Sequence, residues 1–216
     1  MSIRLAKSKL RKEVKLILRS IDRKDILEES QNIISQIFND PIYKSSKAIS
    51  IFVSTPTEVK TDQLIENSLK NGKTVFIPYF EKNDDRMEML ILPSIDIFYE
   101  LPKNSHGIRQ YDSGLLRKVS SIFFSQPQDN FDIKNISYTI HGPLNLIICP
   151  LLAASKDGCR LGYGKGYYDK FLNEHFKIFS NFPTTYGLAL SCQIREKGEI
   201  PMEDFDYKLD KIFYRC

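Results

Sequence analysis

Between Gly158 and Phe171 the chain reads GCRLGYGKGYYDKF, which sets four of its ten glycines between positions 158 and 166. Gly162, Gly164 and Gly166 alternate with larger residues. In a strand that alternation would strip one face of its side chains. In a helix interior each glycine would cost about 1 kcal/mol relative to alanine. What remains is a loop whose backbone comes close to something. An apolar run, LNLIICP (144–150), precedes it, and residues 167–174 follow with helical spacing. Strand, glycine loop and helix in that order present backbone N–H groups and the positive end of a helix dipole to an anion. Glycine permits the positive φ and the close approach, and Arg160 and Lys165 supply charged donors to phosphate oxygens.

The spacing matches neither of two common nucleotide loops. Lys165 precedes Gly166 where a P-loop needs the reverse, and the third glycine comes one residue early for a dinucleotide fingerprint. A glycine turn without a ligand stays open on these residues alone. Asp169 falls in the first turn of the following helix. There it either stabilises the helix start or, beside phosphate oxygens, helps hold Mg²⁺.

The rest of the chain predicts an α/β fold. Helices are expected over 5–21, where Leu10, Val14, Ile17, Leu18 and Ile21 recur at helical spacing, and over 24–38, stopped by Asn39, Asp40 and Pro41. AISIFV (48–53), a helix over 61–72 with Thr61 as N-cap and Gly72 as its stop, and TVFIP (74–78) form a strand–helix–strand unit. Such a unit implies a parallel sheet covered by helices. MEMLIL (87–92), TTYGLAL (184–190) and KIFYR (211–215) add strands, and residues 122–124 and 137–140 are candidate edge strands in the polar stretch 103–143. One domain is expected for 216 residues. A charged N-terminus without an apolar core is not a secretion signal, no apolar run reaches about 18 residues, and four cysteines without metal or redox spacing suit a reducing, cytoplasmic setting. The net charge of +4 suits small anionic ligands and is too scattered to argue for nucleic acid. His106, His141 and His175 read as surface or loop residues, and Cys159 as a small filler.

The motif RLGYGKGYYDKFL, set after an apolar strand ending in proline, resembles the signature of the 5-formyltetrahydrofolate cyclo-ligase family. Other blocks agree in order: Lys7 and Arg11 as Lys-x-x-x-Arg, FVSTPTEVKT (52–61), GKTVFIP (72–78), MEML (87–90) and IPMEDFDYKLD (200–210). The resemblance implies a three-layer α/β/α fold with a mostly parallel sheet. It implies an ATP- and Mg²⁺-dependent enzyme that closes the ring of 5-formyltetrahydrofolate to give 5,10-methenyltetrahydrofolate, ADP and phosphate. ATP would be met by Lys7, Arg11, Arg160, Leu161, Gly162, Tyr163, Gly164, Lys165, Gly166, Tyr167 and Tyr168. The folate would be met by Val53, Glu58, Tyr163, Gly164, Lys165, Gly166 and Tyr167, and the metal by Asp169 and Asp206.

Residues 112–143 are longer than the family pattern implies, a candidate insertion within 103–143, and two further segments depart from the pattern. Leu152-Ala153-Ala154-Ser155 stands where the family carries an aromatic and an acidic residue, and Tyr111 replaces a proline. Both departures are expected to alter the folate side. A non-catalytic folate- or nucleotide-binding module is the alternative reading, and a nucleic-acid binder ranks below it for want of a basic stripe interleaved with aromatics. A small-molecule enzyme acting as a monomer, away from nucleic acid and membrane, is the expectation.

Overall fold

The computed structural model describes residues 2–80, 86–104, 107–123 and 137–215. The first helix, α1 (Ile3–Ser20), is capped by the Ser2 hydroxyl accepting from Leu5 N, and α2 (Arg23–Asn39) is capped by Asp22. A single residue, Asp40, then ends α2 and starts the short α3 (Pro41–Ser45). The strand β1 (Ala48–Ile51), the helix α4 (Asp62–Lys70) and the strand β2 (Thr74–Phe80) form the expected parallel unit. The edge strand β3 (Met87–Leu92) returns antiparallel to β2. After α5 (Ile95–Glu100), α6 (Ser113–Phe123) and α7 (Tyr138–His141), the chain re-enters the sheet as β4 (Leu146–Cys149), parallel to β1.

A hairpin of β5 (Ala153–Ser155) and β6 (Arg160–Leu161) leads to the glycine loop and α8 (Tyr167–Phe179). The strand β7 (Thr184–Leu188) pairs parallel with β4, and β8 (Ile194–Arg195) joins β5 in a separate three-stranded sheet. Finally β9 (Lys211–Phe213) pairs parallel with β7.

The main sheet has the order β3-β2-β1-β4-β7-β9, mostly parallel and flanked by helices. From β1 the chain winds outward to β2, and from β4 it winds the opposite way to β7. With right-handed crossovers, that reversal puts α4 and α8 on opposite faces. It also opens a crevice beyond the carboxyl ends of β1 and β4, where open α/β sheets take ligands. The central strands are buried on both faces, which is why β4 reads Leu-Ile-Ile-Cys with every residue buried. One continuous apolar core extends from Val14 and Leu18 of α1 to Phe213 of β9.

The structure corrects five expectations. Residues 122–123 end α6 and residues 138–140 start α7, with Ser137 alone bridging antiparallel to Leu90 of β3, so neither forms an edge strand; Phe124 lies outside the described residues. In α6, Leu116 and Val119 bury a helical stripe, a period that a three-residue apolar run could not show. The parallel strand does not run directly into the glycine loop, because the β5–β6 hairpin intervenes. Its turn depends on Gly158, at φ 87°, where a Cβ would lie 2.3 Å from the Leu209 carbonyl oxygen. The helix α8 continues to Phe179, past the expected end at Glu174. Lastly, His175 is fully buried: Nδ1 donates to the Asn181 carbonyl at 2.9 Å, and Nε2 accepts from Leu144 N at 3.1 Å. His141 is exposed as expected, and His106 lies outside the described residues. Thr61 starts α4 without a side-chain cap; its hydroxyl donates instead to the Phe52 carbonyl at 2.7 Å.

Asp40 joins the helical layer to the sheet. It caps α3 through Ile42 N and Tyr43 N, accepts from the Tyr186 hydroxyl at 2.7 Å and pairs with Lys211 at 2.8 Å. Burial opposes its charge, but the bonds from Lys211 and Tyr186 win, and its carboxyl sits below the ordinary carboxylate value. Asp40→Ala is expected to cost about 2–4 kcal/mol, from the lost cap and the broken buried contacts. Urea denaturation measures it. The stabilisation in the parent protein is fully present above the ordinary carboxylate value of 3.8 and is lost as pH falls through the lowered folded-state value. The gap between parent and variant should therefore narrow in acid.

Candidate functional site

Four segments meet at the carboxyl ends of β1 and β4. The α1 stripe of Lys7, Arg11, Val14 and Leu18 follows helical spacing. Its apolar half enters the core, and its cationic half reaches the glycine loop. Lys7 is buried and bonds Asp206 at 2.5 Å and Glu203 at 2.7 Å. Arg11 Nε donates to the Gly162 carbonyl at 2.8 Å. Burial alone would lower the Lys7 pKa, but the bonds to Asp206 and Glu203 outweigh it and the value is raised.

The glycine loop begins at the end of β6. Arg160, with its side chain 6% exposed, pairs through one terminal nitrogen with Asp169 at 2.6 Å. Gly164 (φ 110°) and Gly166 (φ 68°) adopt the left-handed backbone that only glycine takes without strain. At Gly164 a Cβ would also press on the Arg11 guanidinium carbon at 3.3 Å. Gly166 caps α8, which sets Asp169 in the first turn. The 200–210 segment is brought in by the bond from Leu209 N to the Gly158 carbonyl, and Tyr207 N donates to Asp169 at 3.3 Å. Asp169 and Asp206 therefore face one space.

That space is a cavity of 560 Å³. Of the residues that the resemblance linked to ATP or the metal, Lys7, Arg11, Arg160, Leu161, Gly162, Gly164, Gly166, Asp169 and Asp206 line it. A second, more apolar cavity of 290 Å³ lies on the other side of the loop. Val53, Glu58, Tyr163, Gly164, Lys165, Gly166 and Tyr167 line it, the full set expected for the folate. Tyr163, Lys165, Tyr167 and Tyr168, which the resemblance also linked to ATP, line this second cavity and not the first. Glu58 is buried, accepting from Thr55 N at 2.8 Å and from the Tyr163 hydroxyl at 2.5 Å. Tyr167 packs against Phe80 with ring centroids 4.9 Å apart.

Three buried polar atoms have no hydrogen-bond partner among the described residues: Thr55 Oγ1, Arg160 Nε and Tyr168 OH. All three residues line the 290 Å³ cavity. Buried orphans are rare in native proteins and each costs about 1–3 kcal/mol, so three of them on residues lining one cavity set it apart. Burial drives the Tyr168 hydroxyl pKa well above its ordinary value. It is a donor, not an anion.

Sequence reading missed Glu203, Asn173, Phe205 and Tyr207 on the cationic side and Phe80 and Pro150 on the apolar side. Glu203 lay within a quoted block and carried a readable signal, an acidic residue three before Asp206. Phe205 and Tyr207 lay in the same block, and Pro150 ended a quoted strand, but their residue types alone carried no signal of a role; Phe80 reaches the cavity only through the fold. The departures at 152–155 and Tyr111 turn out to be core: Ala153 and Ala154 are fully buried, and the Tyr111 hydroxyl donates to the Ile91 carbonyl at 2.7 Å. None of these residues lines either cavity, although Ile108 of the departing segment 107–111 lines the apolar one. Among the described residues no group of three or more His, Cys, Asp or Glu could hold a metal by itself, and no helix is long and apolar enough to cross a membrane.

Comparison with known proteins gives one consistent family. The model of the 5-formyltetrahydrofolate cyclo-ligase family matches residues 4–215. A Caenorhabditis elegans protein named probable 5-formyltetrahydrofolate cyclo-ligase is 36% identical, over 99% of this chain and 94% of its own length. The Mus musculus 5-formyltetrahydrofolate cyclo-ligase is 33% identical, over 99% and 95%. In fold, the chain is similar to the 5,10-methenyltetrahydrofolate synthetase of Aquifex aeolicus, with TM-score 0.65, 22% identity and coverage of 96% and 88%. The Mycoplasma pneumoniae synthetase gives TM-score 0.63, 18% identity and coverage of 96% and 98%.

The orphaned hydroxyl makes a counter-intuitive prediction. Tyr168→Phe removes no protein hydrogen bond and relieves a desolvated polar group. Its unfolding free energy in urea should be equal to the parent's or up to about 1 kcal/mol higher. A clear loss of stability would show that the hydroxyl has a protein partner after all.

Proposed function

Because the chain belongs to the 5-formyltetrahydrofolate cyclo-ligase family, we propose that it closes the ring of 5-formyltetrahydrofolate at the expense of ATP, with the two cavities holding the two substrates. The supporting observation is the glycine loop itself. It walls off a cavity lined by cations and carboxylates from an apolar one edged with orphaned donors. The triphosphate lies on the first side, against Lys7, Arg11, Arg160 and the loop amides. The reduced folate lies on the second, where Glu58 accepts from the donor edge of the pterin ring and Tyr167 and Val53 contact its faces.

Asp169 and Asp206 fit a hard cation that keeps other ligands. They are two carboxylates on one cavity, without a complete protein cage, and Mg²⁺ is usually bound by one or two carboxylates plus phosphates and water. The metal, when bound, neutralises phosphate charge. In this reading Lys7 and Arg160 exchange their present carboxylate partners for phosphate oxygens.

The chemistry then asks the protein mainly for positioning. The formyl oxygen attacks the terminal phosphorus and ADP leaves. N10 attacks the activated formyl carbon, loses its proton, and phosphate leaves to give the methenyl ring. Tyr168 and Arg160 line the folate cavity and each keep a buried donor without a protein partner; in this reading they hold the formyl and phosphate oxygens during that transfer. We take the whole chain as one domain, in line with its single core, acting as a monomer. The free thiols of Cys149, Cys159 and Cys192 support a reducing cytoplasmic setting.

The first test is growth of the near-ultraviolet band of the methenyl product on mixing protein, 5-formyltetrahydrofolate, Mg²⁺ and ATP. No band without ATP is expected; no band with it would overturn the enzyme reading in favour of a binding module. Asp206→Asn is the cleaner metal test. Asp169→Asn would leave buried Arg160 without its counter-charge, whereas Lys7 keeps Glu203 when Asp206 is neutralised. We expect Asp206→Asn to lower turnover roughly 100-fold and to raise the Mg²⁺ concentration needed for half-maximal rate, with thermal stability little changed.

A further inference from the structure

The cationic cavity is lined by more than charged groups. Beside Lys7, Arg11, Arg160, Asp169 and Asp206 its lining includes Phe205, Tyr207 and Asn173, which bear no charge. Phe205 is 67% exposed, the most exposed large apolar residue among those described. The residue lies between Glu203 and Asp206, both of which are anchored to Lys7. Its ring is also turned toward the site, with the Lys7 ammonium 5.8 Å from the ring centroid. Tyr207 is held nearby, its ring 5.1 Å from that of Phe182 and its hydroxyl donating to Asn173 Oδ1 at 3.3 Å. The Asn173 NH₂ group has no partner among the described residues.

We propose that Phe205 is the stacking platform for the nucleobase of the nucleotide, with Asn173 presenting its amide to the base edge. The inference rests on the reading of this cavity as the triphosphate site. An exposed aromatic face a few ångströms from a phosphate-binding cation is the arrangement that holds a base and its phosphates together, because every base offers a π face. An Asn amide can both donate to and accept from a purine edge. Tyr207 carries no base. Through its hydroxyl bond it orients Asn173, and through its backbone bond to Asp169 it ties the platform to the loop. Affinity from stacking thus adds to affinity from charge without further cations in a cavity already rich in them.

The test separates base from phosphate. Titration calorimetry compares ATP with inorganic tripolyphosphate, both with Mg²⁺, on the parent protein, Phe205→Ala and Phe205→Trp. Because Phe205 is exposed, neither variant should lose its fold. Phe205→Ala is expected to weaken ATP binding about tenfold and to leave tripolyphosphate binding unchanged, while Phe205→Trp restores ATP binding. In turnover the KM for ATP should rise with the KM for 5-formyltetrahydrofolate unaltered. Unchanged ATP affinity in Phe205→Ala would overturn the platform, and so would an equal loss for tripolyphosphate, which would assign Phe205 to holding Lys7. A parent protein that binds neither compound would overturn the triphosphate reading itself and the platform with it.

Discussion

A buried guanidinium needs a counter-charge, and the site is organised around that need at Arg160. Its side chain is almost wholly withdrawn from water, and Asp169 in the first turn of α8 answers it. An exposed pair of this kind would contribute little; a buried one is costly to break. The pair therefore fixes where α8 begins relative to β6, and the glycine loop has to span the gap between them. Every other contact of the site follows from that spacing. Arg11 reaches the loop carbonyl at Gly162, Tyr207 N reaches Asp169, and Lys7 finds Asp206 and Glu203 on the adjoining segment. The carboxylates suited to a metal are thus held by the cations suited to phosphate. These charges balance one another within the protein.

The fold and site were legible in the sequence to different depths. The strand–helix–strand unit from β1 to β2 and the apolar β4 could be read directly, because buried parallel strands and capped helices leave strong local patterns. The glycine loop was legible because few structures tolerate alternate glycines. Lys7 and Arg11 show the limit of local reading. Their helix carries four further basic residues, at Lys9, Lys12, Lys15 and Arg19, and pattern alone favours a solvated face. Only the match to a family singled them out, and the structure shows the distinction as one of register: they continue the stripe that Val14 and Leu18 bury.

Other features could not be read because their causes lie far away in the chain. His175 looks like an isolated histidine on a helix. It is a core residue because Asn181 and Leu144 satisfy both ring nitrogens, and neither partner is visible in its local pattern. The β5–β6 hairpin was invisible because its strands are two or three residues long and its turn is set by the distant Leu209. The unfamiliar Ala153-Ala154 and Tyr111 invited a functional reading that burial removes. Small residues suit a tightly packed inner strand, and the Tyr111 hydroxyl satisfies a carbonyl of β3.

The three alternate glycines have one further consequence. Gly162, Gly164 and Gly166 border both cavities, so at these three positions the partition between them carries no side chain, while Tyr163 and Lys165 line the apolar cavity alone. A bare backbone is about as thick as the spacing of neighbouring strands, ~4.8 Å. Whatever fills the two chambers is then kept apart by one peptide layer, open wherever a side chain would have stood. The reach from one chamber into the other is set by covalent geometry and not by the swing of a rotamer. In such a partition, thickness is the property that sequence change can least vary.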